Sequence, residues 1–328
     1  MGTGIKSWLR GFVERALTLA PANSPEESTQ VFRDEILKEL SVHDPRIGAR
    51  LQKLLDDLEE GRIKPPMLPQ VALELLQKAS SENVSFDEVA KLAVSDPSVA
   101  ARIMKLAQSP GMGSVPPKGV KDALVRLGIF GIREVAFDIA FSSKALRKGP
   151  HMALAERTIR HARSSSALSR LLARDVKVHP GVAALAGLVH ALGGLLLIEQ
   201  LTSQRNAAGS TVEVPGFLLY LCIHRLHPKV TALACKQYSL DEAIQNAMAN
   251  HHGNLADASS LTQLLYFSDV ISPGEPGARV TPLAQALTRS HLDVDEVQVR
   301  ERLLPLTASF EELRLSMEAT PHDVNSAN

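Results

Sequence analysis

The chain reads as an all-α protein, and three observations carry that reading. Apolar residues recur at i, i+3, i+4 and i+7 along most of its length. Helix-opening signals such as Ser24-Pro25-Glu26-Glu27 and Asp44-Pro45 precede those stretches, whereas strand-like alternation is almost absent. The composition is ordinary for a folded chain, with 45% hydrophobic and 22% charged residues in 328.

Element by element, Ile5, Trp8, Leu9, Phe12, Val13, Ala16 and Leu17 form an amphipathic stripe near the N-terminus. It suits packing on the rest of the protein better than a membrane surface, because Glu14 interrupts it and it is short. The Ser24 capping box opens a helix to about Leu40. Asp44-Pro45 opens another, which carries Leu51, Leu54, Leu55 and Leu58 and closes at Gly61. Pro65-Pro66 then breaks helical continuity and marks a boundary. Helices follow over Pro69 to Ala79, from the Ser85–Glu88 capping box, and from Asp96-Pro97 with Val99, Ile103 and Leu106 on one face. After a Gly/Pro/Ser loop over Ser109 to Pro117, Val120 to Leu127 is helical and stops at Gly128, and a further helix runs from about Ile132 to Lys144. Met152 to Asp175, Val182 to Leu201, Phe217 to Tyr238, Leu240 to His251 and Leu261 to Ile271 complete the pattern, with two or three helices beyond Gly277 and a polar tail.

Several classes are excluded on composition. Only Cys222 and Cys235 occur, both in apolar surroundings, so neither a disulfide scaffold nor a cysteine zinc site is expected. No apolar run is expected to reach the roughly 20 residues that span a bilayer, and no secretory signal is legible, so the expected location is cytoplasmic. Thirty-six basic and 36 acidic side chains cancel, but unevenly. Residues 1–60 carry 8 basic against 11 acidic groups, residues 61–180 carry 19 against 10, residues 181–290 carry 6 against 7, and residues 291–328 carry 3 against 8. A basic middle is flanked by acidic ends.

Eleven histidines are present, and several fall on faces that periodicity assigns to the core. At 100° per residue His161 lies beside Leu154, Leu168 and Leu172. His190 sits in the apolar run Leu188 to Leu192, His224 and His227 share one helical turn, and His251-His252 end a helix ahead of Asp269. Imidazoles and a carboxylate from several helices are how bundles build metal sites, although a lone buried histidine is usually a hydrogen-bonded core residue.

The order of these pieces resembles the HDOD family, the HD-related output domains of bacterial signalling proteins, over about Ile63 to Ile271. The residues that carry the resemblance are Met67-Leu68-Pro69, Ser95-Asp96-Pro97 running on to Ser109, and Asp122 to Gly128. They continue with Gly187-Leu188-Val189-His190-Ala191-Leu192-Gly193 and end at Asn250-His251-His252. With the Pro65-Pro66 break and the polar tail, the chain divides into residues 1–61 as a helical N-terminal region, 62–275 as the HDOD-like domain that the resemblance implies, 276–318 as a helical C-terminal extension and 319–328 as a disordered tail. In the related HD phosphohydrolases a first His, a His-Asp pair, further histidines and a final Asp hold metal; the matching positions are His161, His190 with Ala191, His227, His251 or His252, and Asp269. Ala191 replaces the pair's carboxylate, and no Gly-Tyr-Pro element follows His252. The expectation is a vestigial centre that binds no metal or other cofactor. The implied role is a non-catalytic scaffold that docks signalling proteins or senses a ligand, with a degenerate metal-dependent phosphohydrolase as the rival.

A second candidate site comes from charge alone. Lys144 to Lys177 holds nine basic groups against Glu156 and Asp175, and Arg160, Arg163, Arg170 and Arg174 fall within about 80° of one helical wheel, away from His161. That stripe is expected to face outward and to suit an acidic partner, an anionic ligand, a nucleotide or, as a second rival function, nucleic acid; acidic ends could cover it. Phe86 to Ala107 has the outline of a helix-turn-helix, but Ser98, Val99, Ala100 and Ala101 are poor readers of base edges, which makes sequence-specific DNA binding a minority reading.

Overall fold

The computed structural model describes residues 25–272, apart from 64–67, 82, 110–111, 113–114, 144–150, 204–213 and 256. The amphipathic stretch at Ile5–Leu17, the helices expected beyond Gly277 and the C-terminal tail lie outside the described residues. The rest is helical, with no strand among the described residues.

The N-terminal part folds as α1 (Pro25–Val31), a π-helical segment (Phe32–Leu37), α2 (Lys38–His43) and α3 (Pro45–Glu59). Asp44 caps α3 by accepting from the amides of Arg46 and Ile47, and Gly61 ends the run with φ of +67°, a conformation that glycine adopts without a side-chain clash. Phe32, Leu40, Ile47, Leu51 and Leu55 are fully buried in the same hydrophobic cluster as the later helices. Arg50 and Gln237 tie this part to the remainder by bonding to the carbonyls of Gln200 and Ile63.

Next come α4 (Gln70–Ala79), α5 (Phe86–Val94), α6 (Pro97–Ala107) and α7 (Val120–Phe141). Ser85 and Asp96 cap α5 and α6, as their sequence signals predict. The stop expected at Gly128 is found within α7: Gly128 leaves the helical region with φ of +64°, and a second helical run begins directly beyond it, ahead of the expected Ile132. α4, α5 and α6 all pack on α7.

The second half comprises α8 (Met152–Leu172), α9 (Pro180–Val189), α10 (Leu192–Ser203), α11 (Gly216–Gln237), α12 (Glu242–Asn250) and α13 (Ser260–Ile271). α9 packs along α8 and α10 along α11, while α12 and α13 close over the end of that group. Gly187 and Gly193 make the close approaches. A Cβ on Gly187 would fall 2.7 Å from the Ser165 carbonyl oxygen, and one on Gly193 would fall 2.4 Å from the His227 carbonyl oxygen.

One expectation is corrected here. Pro180–Thr202 spans 23 residues and is long and apolar enough to cross a bilayer by length and composition alone. In this fold 94% of its most apolar stretch is buried within the protein, and it is broken into two helices at His190-Ala191. Apolarity all round the helix marks the core of the bundle.

Candidate metal centre and arginine cleft

Every histidine matched to the metal pattern converges with Asp269 at one place. His161 comes from α8, His190 from the α9–α10 break, His227 from the middle of α11, His251 and His252 from the end of α12, and Asp269 from α13. His161, His190, His227, His251 and Asp269 are buried; His252 is about one-quarter exposed. The sequence leaves open whether His251 or His252 belongs to the set, and the fold brings in both.

Backbone carbonyls fix the rings. His190 Nδ1 lies 2.7 Å from the Gly187 oxygen, His227 Nδ1 2.8 Å from the Ile223 oxygen and His251 Nδ1 2.8 Å from the Met248 oxygen. A carbonyl can only accept, so each of these Nδ1 atoms carries the proton and each Nε2 presents a lone pair to the centre. His227 Nε2 and His251 Nε2 then face each other at 3.1 Å. Burial, followed by the neighbouring His252, holds both rings well below the usual imidazole range, so both are neutral and neither has a proton to share.

Asp269 is the hub. Its Oδ1 lies 2.6 Å from His161 Nε2 and 3.3 Å from His190 Nε2, and its Oδ2 lies 3.0 Å from His252 Nε2. Burial opposes its charge, but the hydrogen bond from His161, with the other imidazoles around it, outweighs that and keeps the carboxyl well below its ordinary range. Two ligand sets therefore share it: His227, His251, His252 and Asp269, and His161, His190 and Asp269, with all donor atoms of each set within 4.8 Å of one another. Tetrahedral donors at zinc-like bond lengths sit about 3.3 Å apart; in the four-residue set the His227–His251 and His252–Asp269 pairs, at 3.1 and 3.0 Å, are near that spacing, and all four donors lie within 4.8 Å of one another. Opposed lone pairs plus an ionised carboxylate fit a divalent cation.

Ala191 lines the same cavity beside His161 and His190, where a methyl stands in place of a carboxylate. The cavity is about 50 Å³. That holds an ion with a water or two, whereas small-molecule sites run to several hundred Å³. His224, one turn before His227, stacks on Tyr220 at its edge, and burial lowers its pKa to about 4.

A model of the HDOD domain matches residues 66–254, more than half of the chain. The chain belongs to the HDOD domain family. Among solved structures, this HDOD protein shares its fold with an HDOD domain protein of unknown function from Geobacter sulfurreducens (TM-score 0.53, 20% identity, 81% of this chain and 98% of that one). It shares it also with a Shewanella amazonensis protein provisionally described as a metal-dependent phosphohydrolase (TM-score 0.57, 21% identity, 73% and 86%). Curated relatives include ribonuclease Y of Clostridium kluyveri, 27% identical over 134 residues, which are 41% of this chain and 22% of the relative. Ribonuclease Y of Chlorobaculum tepidum is 24% identical over 147 residues, 45% and 24%. The matched segment spans under a quarter of those relatives' length.

The arginine stripe of the HDOD protein is not the outward face that the helical wheel predicts. Arg170 is buried and paired with Glu134 of α7, which also accepts from Ser166 Oγ at 2.7 Å. Arg163 is half-buried; its Nε bonds Asp138 at 2.6 Å and it donates to Ser142 Oγ at 2.8 Å. Asp138 receives Arg102 of α6 on its other oxygen. Arg174 is exposed and lies apart. The carboxylates that neutralise the stripe sit on α7, so a search for i+4 partners within α8 misses them. Sequence reasoning likewise missed Arg102 and Lys105, which face the stripe from α6 across a cleft. Of the positions weighed for reading bases, Val99 is buried in the core, and Arg102, which follows them, is committed to Asp138.

Proposed function

We propose that this chain is a non-catalytic regulatory HDOD module of a bacterial signalling system, whose helical core is tied together by one divalent cation on His227, His251, His252 and Asp269. The observation that carries the metal is the pair of neutral, carbonyl-anchored imidazoles whose Nε2 lone pairs meet at 3.1 Å. Left alone, that contact sets acceptor against acceptor; a cation turns it into two bonds. This departs from the metal-free centre expected from the sequence, because His227, His251, His252 and Asp269 remain together as a four-donor set although residue 191 offers no carboxylate. Four protein donors make a closed shell, the pattern of structural rather than catalytic sites. When bound, the cation supplies positive charge to Asp269 and crosslinks α11, α12 and α13; the chain's own groups orient the rings through the Gly187, Ile223 and Met248 carbonyls.

Likeness to ribonuclease Y and to a phosphohydrolase-like fold favours a second reading, phosphodiester hydrolysis. Ala191 and the cavity of about 50 Å³ oppose it, since one carboxylate of the pattern is lost and a whole nucleotide is too large for that space. One experiment separates the two. Elemental analysis of the purified protein should find one divalent metal per chain, lost in His251→Ala. Bis(4-nitrophenyl) phosphate and a short RNA should remain intact with added Mn2+ or Fe2+. Turnover that disappears in His190→Ala overturns the non-catalytic reading, and failure to retain metal after reconstitution overturns the crosslink.

A further inference from the structure

Outside the histidine centre, a cleft of about 1190 Å³ opens between α6, α7 and α8. It lies on the far side of α8 from His161. Its polar lining holds five cations, Arg102, Lys105, Arg160, Arg163 and Arg170, against two carboxylates, Glu134 and Asp138, an excess of three positive charges. The carboxylates are already occupied: Glu134 by Arg170 and Ser166, Asp138 by Arg102 and Arg163. Their effect is to hold the guanidiniums in place, each with donors left over, since the fork carries five N–H groups. Arg160 and Lys105 have no carboxylate partner among the described residues.

Fixed guanidiniums recognise phosphate oxygens bidentately, and a ligand that meets them already ordered loses less entropy on binding. Apolar side chains complete the walls, among them Met104, Leu106, Val135 and Leu188. Such walls suit a planar organic body, and guanidinium planes stack on aromatic rings. The volume is at the upper end for small-molecule sites. The buried Arg170–Glu134 pair at the floor is costly to desolvate unless well bonded, and it marks a built site rather than a solvated surface.

We propose that this cleft binds a nucleotide, its phosphates on Arg102, Arg160, Arg163 and Lys105 and its base and sugar against the apolar wall. The inference gives the regulatory module a ligand class, yet it is independent of what the histidines hold. Loss of nucleotide binding would leave the metal content unchanged, and loss of metal would not remove the arginines.

The test is titration calorimetry of the full chain with ATP, inorganic phosphate and a single-stranded DNA oligonucleotide as separate probes. ATP should bind, and weaken steeply as NaCl is raised from about 0.05 to 0.5 M. Inorganic phosphate should bind about tenfold or more weakly, because it leaves the apolar wall unused. Arg160→Glu and Lys105→Glu, neither of which breaks an ion pair of the described residues, should each weaken ATP about tenfold or more while leaving the melting temperature near that of the parent. Absence of ATP binding at millimolar concentration overturns the proposal, as does ATP binding indifferent to both charge reversals. An oligonucleotide that binds more tightly than ATP, and is lost in the same variants, would instead assign the cleft to nucleic acid.

Discussion

Ala191 and the Glu134–Arg170 pair show what single side chains decide here. Ala191 is buried against His161, His190 and Asp269 in a cavity with room for an ion. Ala191→Asp places a second carboxylate beside an ionised one, so the metal-free protein should lose about 1–3 kcal/mol; urea unfolding with and without Mn2+ measures this, and the deficit should shrink when metal is added. Glu134 neutralises a guanidinium that water cannot reach. Glu134→Ala should cost about 3–5 kcal/mol, because it strands Arg170. The double variant Glu134→Ala plus Arg170→Met should recover much of that loss, and a denaturation cycle over the four proteins reads the coupling directly.

Among the elements, α9, α10 and α11 bring His190 and His227 to the centre, and two glycines set their spacing. Gly187 lets α9 close on α8 at Ser165 and Ser169, and its carbonyl orients His190. Gly193 lets α10 close on α11. Its amide donates to Thr231 Oγ1 at 2.9 Å, and Thr231 in turn donates to the His190 carbonyl at 2.8 Å. Gly193→Ala drives a methyl into the His227 carbonyl and Thr231, both backbone-anchored, and should destabilise the protein by about 1–3 kcal/mol. Since α11 carries His227, the same variant should lower metal retention in elemental analysis, which an overpacked site remote from the centre would leave untouched. Pro228 lies beside His227 and has no N–H to give the His224 carbonyl, so α11 bears a weakened turn where it meets the centre.

For the whole molecule, the buried histidines set the acid limit. Burial is the first cause of the depressed His227, His251 and His224 rings. Unfolded, each takes up a proton near pH 6.5, whereas the folded rings stay neutral to lower pH. The unfolded state therefore binds more protons below that value, and stability falls as pH falls. In chelator-treated protein, the denaturation midpoint should be flat above about pH 7 and decline on acidification below about 6.5, with Asp269 adding a further loss only in the acid range below the ordinary carboxylate value. A midpoint that rises on acidification would contradict the neutral rings and, with them, the opposed lone pairs. The sequence by itself determined the all-α class, the caps at Asp44, Ser85 and Asp96, and the family, because periodicity, capping and motif order are local or strictly ordered along the chain. Tertiary structure alone decided the rest. It showed that His251 and His252 both join the centre, that Pro180–Thr202 is a broken core element, and that Arg163 and Arg170 turn inward to Asp138 and Glu134. Those outcomes depend on groups brought together from 25 to 108 positions apart. A helical wheel sorts the faces of one helix, but the charge that waits opposite each face belongs to another.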